Sequence, residues 1–284
     1  MTLSSFRSCI RDLGLLALGT WLITVPGSAR ASDANQGAET AQGAETEQDV
    51  AAEQDVAAEQ GVEVAPEDMV GTYLLRLDVA TDSIVPVFGR SQFHTVQTMV
   101  ATIEQTPAGL VQHHDVCNLE GVRGTGRASL GFTQAYVDAV PSKDYPVELT
   151  VHPDQPWGYT ADFGPIHLGW DPSRGDSLPQ EKEDPSVWDA DGDGHPGITL
   201  LVDVPLLDPV RVYMVQTEHM VLEGTVLGPD RVEGLVRMEA LEQRTIGASN
   251  ILFTPNPRIE PNGEHRSFSM ERVPDGTTCS DVIP

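Results

Sequence analysis

The stretch from residue 210 to residue 246 constrains the fold most. Two runs, Val210 to Leu227 and Val232 to Ile246, flank the turn residues Gly228, Pro229, Asp230 and Arg231. In the second run Val232, Val236, Met238, Ala240 and Ile246 share one parity, while Glu233, Arg237 and Glu239 share the other. Successive side chains of a strand point to opposite faces, so this alternation sets one face on a core and one on water. It predicts a long antiparallel hairpin. Leu235 to Arg244 (LVRMEALEQR) is also rich in helix formers, so a helix there is the competing reading.

Other segments carry the same pattern. Val70 to Ala80, Phe93 to Gln105 and Leu110 to Cys117 are rich in Val, Thr and Leu, which suit a half-buried pleated surface. Thr106-Pro107-Ala108-Gly109 joins the second of these to the third, so the three are expected to form an antiparallel meander. Val85 to Gly89 reads as an edge or a turn. Phe132 to Val140 is a short helix ended by Pro141, and Ile198 to Val202 and Arg266 to Val273 are further strands. Many strands, few helices and turn residues between them predict a mainly β fold, an antiparallel barrel or a sandwich. Residues 141–197 hold nine prolines and seven glycines, which predicts a long irregular insertion.

What precedes the domain has a different character. Arg7 and Arg11, an apolar run from Leu13 to Val25, Pro26-Gly27 and then Ala29-Arg30-Ala31 predict a signal peptide over residues 1–31, cleaved after Ala31. The run is shorter than the roughly 20 residues of a permanent membrane span, so no transmembrane segment is expected after cleavage. Cys9 lies before the run, which disfavours lipid anchoring. A six-residue repeat follows (GAETAQ, GAETEQ, DVAAEQ, DVAAEQ, GVEVAP). Its period keeps no apolar stripe on a helix of about 3.6 residues per turn, so residues 32–68 read as an acidic, disordered tether. The domain from residue 69 to 284 has 14 basic and 31 acidic side chains, a net charge of −17. Such a field repels nucleic acid and anionic lipid and attracts cations.

Export predicts a compartment that permits disulfides, periplasmic or extracellular. Two cysteines remain after cleavage, Cys117 and Cys279. They are expected to pair, with two buried free thiols as the alternative.

The sharpest local signal is Asp189-Ala190-Asp191-Gly192-Asp193-Gly194-His195-Pro196-Gly197. Carboxylates at every second position, with glycine after the second and the third, let the backbone wrap so that hard oxygens converge on one cation, and the spacing suits calcium. The competing reading is a solvated acidic turn. The segment resembles the D-x-D-G-D-G loops of calcium-binding repeats such as dockerin modules, thrombospondin type 3 repeats and integrin-type propeller blades. That resemblance implies Asp189, Asp191 and Asp193 as side-chain ligands and His195 as a ligand through its backbone carbonyl. Gly197 and Leu200 depart from it, standing where propeller loops have aspartate and EF-hands have glutamate. Further ligands would then come from Glu181, Glu183, Asp184, Asp203 or water.

Gly71-Thr72-Tyr73 resembles the Gly-x-Trp opening of lipocalins, which implies a closed barrel and a small apolar ligand. The domain as a whole resembles uncharacterised secreted bacterial proteins that join a β-rich domain to a D-x-D-G-D-G loop. Other residues read as structural. Trp157, Tyr159, Phe163, Trp170 and Trp188 are expected to pin the irregular insertion, with a ligand platform as the alternative. His113 and His114 are adjacent on a strand, so they face apart and cannot grip one ion. The chain has no G-x-S-x-G elbow, H-E-x-x-H helix, glycine-rich phosphate loop or C-x-x-C pair, and so no support for an enzyme. The leading expectation is an exported, calcium-stabilised, non-enzymatic binding or surface module with a small-molecule or surface partner. A lipocalin-like carrier comes second and a secreted hydrolase third.

Overall fold

The computed structural model describes residues 65–85, 89–151, 155–205 and 207–283; the predicted signal and nearly all of the predicted tether lie outside them. The described residues form ten strands: β1 (Gly71–Val85), β2 (Gly89–Thr106), β3 (Gly109–Arg123), β4 (Ser129–Phe132), β5 (Lys143–Thr150), β6 (Gly158–Leu168), β7 (Ile198–Asp203), β8 (Val210–Gly228), β9 (Arg231–Ala248) and β10 (Arg258–Val273). Two short helices accompany them, α1 (Gln134–Ala139) and α2 (Cys279–Val282). A 3-10 turn at Pro66–Met69 precedes β1, so residues 66–68 of the segment expected to be tether have regular structure.

All ten strands belong to one antiparallel sheet, in the order β4-β7-β8-β6-β5-β3-β2-β1-β10-β9, and β8 also pairs with β9. That extra pairing closes eight strands into a ring that follows the chain, β1-β2-β3-β5-β6-β8-β9-β10, and leaves β4 and β7 as a branch on β8. The expected meander is β1-β2-β3, and the expected hairpin is β8-β9. No helix forms in Leu235 to Arg244, where pairing with β8 along nearly its whole length overrides helix propensity.

The inside of the ring is read off parity. Tyr73, Leu75, Leu77 and Val79 of β1, Met99, Ala101 and Ile103 of β2, and Met220, Leu222 and Val226 of β8 join one buried cluster. Val232 and Val236 of β9 belong to it as the alternation predicts, with Met238 packed against it. Beyond Met238 the parity changes. Met220 faces Met238 while His219 faces Ala240, so Glu239 is an extra residue in β9, a bulge. After it Leu241 and Gln243 turn inward and Ala240 and Ile246 do not share the inner face.

A second buried cluster fills the other end of the ring and the β4-β7 branch, where Tyr136 and Val137 of α1 pack on Ile166, Leu168, Ile198, Leu200 and Met214. α1 begins on its cap, Thr133, whose Oγ1 accepts from the Tyr136 N–H at 3.0 Å, and ends before Pro141. At the first end Arg272 of β10 lies 4.8 Å above the Tyr73 ring and donates to Asp230 Oδ1 at 2.8 Å, to Val70 O at 2.8 Å and to Asp68 O. One guanidinium thereby ties β10, the β8-β9 turn and the 3-10 turn together.

Residues 141–197 correct the expectation of one irregular insertion. Its first half holds β5 and β6, both members of the ring; the long irregular stretch among the described residues is 169–197. Prolines mislead here because both strand prolines sit where a missing N–H costs little. Pro146 faces β3 just before pairing with β6 begins at Val147, and Pro165 follows a bulge at Phe163-Gly164, where Gly164 has φ +62°.

Cys117 and Cys279 stand at disulfide distance, with Cα atoms 5.0 Å apart at a sequence separation of 162. The pair fixes α2 against β3.

Candidate metal centre

Residues 169–197 cross the outer face of the ring. Trp170 and Leu178 are buried on Val215 of β8, with Val187 and Ile246 of β9 against them, and the Trp170 indole N–H donates to Gln216 O at 3.1 Å. Trp170 thus pins the loop as expected. Trp188 does not, being 51% exposed, while Tyr159 and Phe163 belong to the ring interior and Trp157 packs on it.

At its end the segment closes on itself. The Ala190 N–H donates to Gly197 O and the Gly197 N–H to Trp188 O, both at 2.9 Å, which pinches residues 189–197 into a loop with a narrow neck. Gly197 has φ +87° and lies so close to β8 that a Cβ would stand 2.4 Å from Met214 O, so only glycine fits the neck. Gly192 and Gly194, at φ +66° and +86°, turn the chain between the carboxylates.

Within this loop the carboxylates of Asp189, Asp191 and Asp193 converge, offering one oxygen each with all three within 4.8 Å of one another. Each is also held by the backbone. Asp189 accepts from the N–H groups of Asp193 and Gly194 at 3.2 and 2.9 Å, Asp191 Oδ2 from the Thr199 N–H at 2.9 Å, and Asp193 from the His195 N–H at 2.9 Å and the Thr199 hydroxyl at 2.8 Å. Thr199 is the second residue of β7, so the strand positions two of the three acids.

The donor set fits a hard divalent cation. It consists of carboxylate oxygens alone, and Asp191 Oδ1 is buried without a hydrogen-bond partner. Burial, with the neighbouring Asp193 and Asp189 charges, holds the Asp191 carboxyl above the usual range, a strain that a cation among them would relieve. The His195 imidazole goes elsewhere: it stacks on Tyr213 at 4.1 Å between ring centres, with Nε2 3.2 Å from the hydroxyl. Asp184 caps Ser186, accepting its N–H and hydroxyl at 2.9 and 2.6 Å. Glu181, Glu183 and Asp203 are likewise outside the group that converges.

The two histidines of β3 separate as strand geometry requires. His113 lies outside, 2.8 Å from Asp144, and His114 lies inside, 3.1 Å from the Tyr145 hydroxyl. Burial lowers His114 to about 4, so it is neutral at neutral pH.

The ring interior also contains an acid that sequence reasoning passed over. Glu218 lies on the inward row of β8, between Gln216 and Met220, and faces a chamber of about 110 Å³ between the two apolar clusters. The signal was present in the parity of β8, where Val210, Val212, Met214, Met220 and Leu222 share the row of Glu218. Tyr136 lines the same chamber, and its hydroxyl is pushed far up by burial and by the charges of Glu218 and Asp191. A larger groove of about 680 Å³ is open to solvent on the outer face, near Arg76, Asp78, Leu227 and Leu235. No helix among the described residues is long and apolar enough to cross a membrane.

The chain matches no family model, no curated protein and no solved structure.

Proposed function

We propose that the chain is an exported, calcium-stabilised, non-enzymatic β-domain that works as a binding or surface module. The observation that carries this reading is the convergence of Asp189, Asp191 and Asp193 in a loop pinched at its neck. In it the three carboxylates hold the ion, with backbone carbonyls of the loop and water completing the oxygen shell, and the ion supplies charge neutralisation. The ion's work is structural, because the loop lies on the second apolar cluster through Ala190 and on β7 through Thr199. The disulfide-distance pair Cys117 and Cys279 supports an oxidising compartment. Leu227 and Leu235, 51% and 59% exposed in the outer groove, supply apolar surface for a partner.

A carrier of a drug-sized apolar ligand fits less well, since such a site needs roughly 300 Å³ or more and the inner chamber has about 110 Å³. The test is a thermal melt with millimolar calcium against the same protein in chelator. Calcium is expected to raise the melting temperature and Asp191→Ala to abolish the difference; identical melts of the unaltered chain would remove the site.

A further inference from the structure

The chamber inside the ring has a lining at odds with its surroundings. Above and below it the inward rows are Leu, Val, Met, Ile, Phe and Tyr. Around it, beside apolar residues such as Leu168, Leu200 and Met214, they include a polar group: Thr81 of β1, Thr95 and Gln97 of β2, Gln216 and Glu218 of β8, and Gln243 of β9. The register sets these side by side: Gln216 faces Gln243 across the β8-β9 ladder, and Glu218 faces Leu241. The bulge at Glu239 makes this belt, because it rotates Leu241 and Gln243 into the ring.

Glu218 is partly buried and lines the chamber. The Gln216 side-chain amide donates to it, Nε2 lying 2.8 Å from Oε2. Among the described residues, none that lines the chamber is Lys, Arg or His. A carboxylate in such a place costs free energy unless a positive partner joins it. Burial accordingly holds the Glu218 carboxyl up to about 7. The domain's net charge of −17 raises the local concentration of cations and lowers that of anions.

We propose that the chamber binds a small organic cation, an alkylammonium whose charged head is held by Glu218 within the glutamine and threonine belt and whose short chain lies against Met220, Met238 and Leu241. The volume sets the size. About 110 Å³ compares with a cavity of about 150 Å³ that admits benzene, so the ligand has about four to six heavy atoms. A hydrated inorganic ion would leave the methionine and leucine walls unused, and an anion would face Glu218 without a counter-charge.

The test uses the full chain with n-butylamine, which is protonated at pH 8, and its neutral isostere n-butanol. Binding is followed by shifts of the methionine methyl resonances at 0.3 M salt. Butylammonium is expected to saturate and to bind at least about tenfold more tightly than butanol, the worth of one charge-assisted hydrogen bond. Glu218→Gln is expected to erase that preference, and Leu241→Trp, which fills the chamber at its rim, to erase binding of both. Equal binding of amine and alcohol overturns the proposal, as does the absence of saturable shifts. If Glu218→Gln does not fold, the decision falls to Leu241→Trp: amine binding that survives it belongs to the acidic outer surface and also overturns the proposal.

Discussion

The two halves of residues 141–197 make an instructive pair. Residues 141–168 contain five prolines and two glycines, and residues 169–197 four prolines and five glycines, so composition hardly separates them. Yet the first half is two strands of a closed ring and the second half is a loop on its outer face. The difference lies in what alternates. Tyr145, Val147 and Leu149, then Tyr159, Ala161 and Phe163, occupy every second position and bury one face. The second half has no such row and is held by Trp170, Leu178 and carboxylates that cap backbone N–H groups. Packing stabilises the first, and local polar bonds, joined by the cation we propose, stabilise the second.

Four experiments break or sharpen that contrast. The largest expected effect is on the ring: replacing both Cys117 and Cys279 by Ser should cost about 5 kcal/mol in the chain-entropy model for a loop of this length, seen as a lower urea midpoint. Phe163→Ala follows, at about 3 to 5 kcal/mol for a buried aromatic ring. Phe163 stacks on Tyr145 at 4.6 Å between centroids and meets His114 at 4.8 Å, so the loss should appear in global unfolding.

The third concerns pH and Glu218. In the unfolded chain its carboxyl loses its proton near 4.5, whereas in the fold it holds the proton up to about 7. The folded state therefore binds the extra proton between those values, and stability contributed by this group is full below the lower one and falls as pH rises to the upper one. The loss should reach about 3 kcal/mol, and Glu218→Gln should flatten that part of a melting series. The smallest effect is on the loop: calcium at a hundred times its dissociation constant should add about 2.7 kcal/mol. Hydrogen exchange with and without chelator locates it. Protection changed in residues 189–199 and not in β5 or β6 sharpens the contrast, and equal change in both erases it.

These contrasts also mark what sequence could carry. Alternation in β1, β2, β3 and β9 was legible because each has one apolar row, and the D-x-D-G-D-G spacing was legible because convergence follows from local geometry alone. β5 and β6 were hidden by prolines whose cost depends on which neighbour their nitrogen faces, a fact about pairing. The bulge at Glu239 was hidden for a similar reason: one extra residue reverses the parity that follows it, and only the register with β8 reveals it. Ring closure is a third case. β10 meets β9 along only five pairs, Ser267 to Glu271 against Leu235 to Arg231, which no local pattern announces.

That ring order has a consequence for how the chain acquires its shape. The last strand, β10, is the neighbour of the first, β1, over almost its full length, and the second cysteine lies beyond it at position 279. Neither the circle nor the covalent tie can be completed until β10 and Cys279 have been synthesised and released. The most distant contacts in the domain are therefore its last, and loop closure of that length makes folding slow. Under the export we propose, a chain threaded unfolded through a translocation pore gains from this arrangement, since its ring closes only after β10 has emerged.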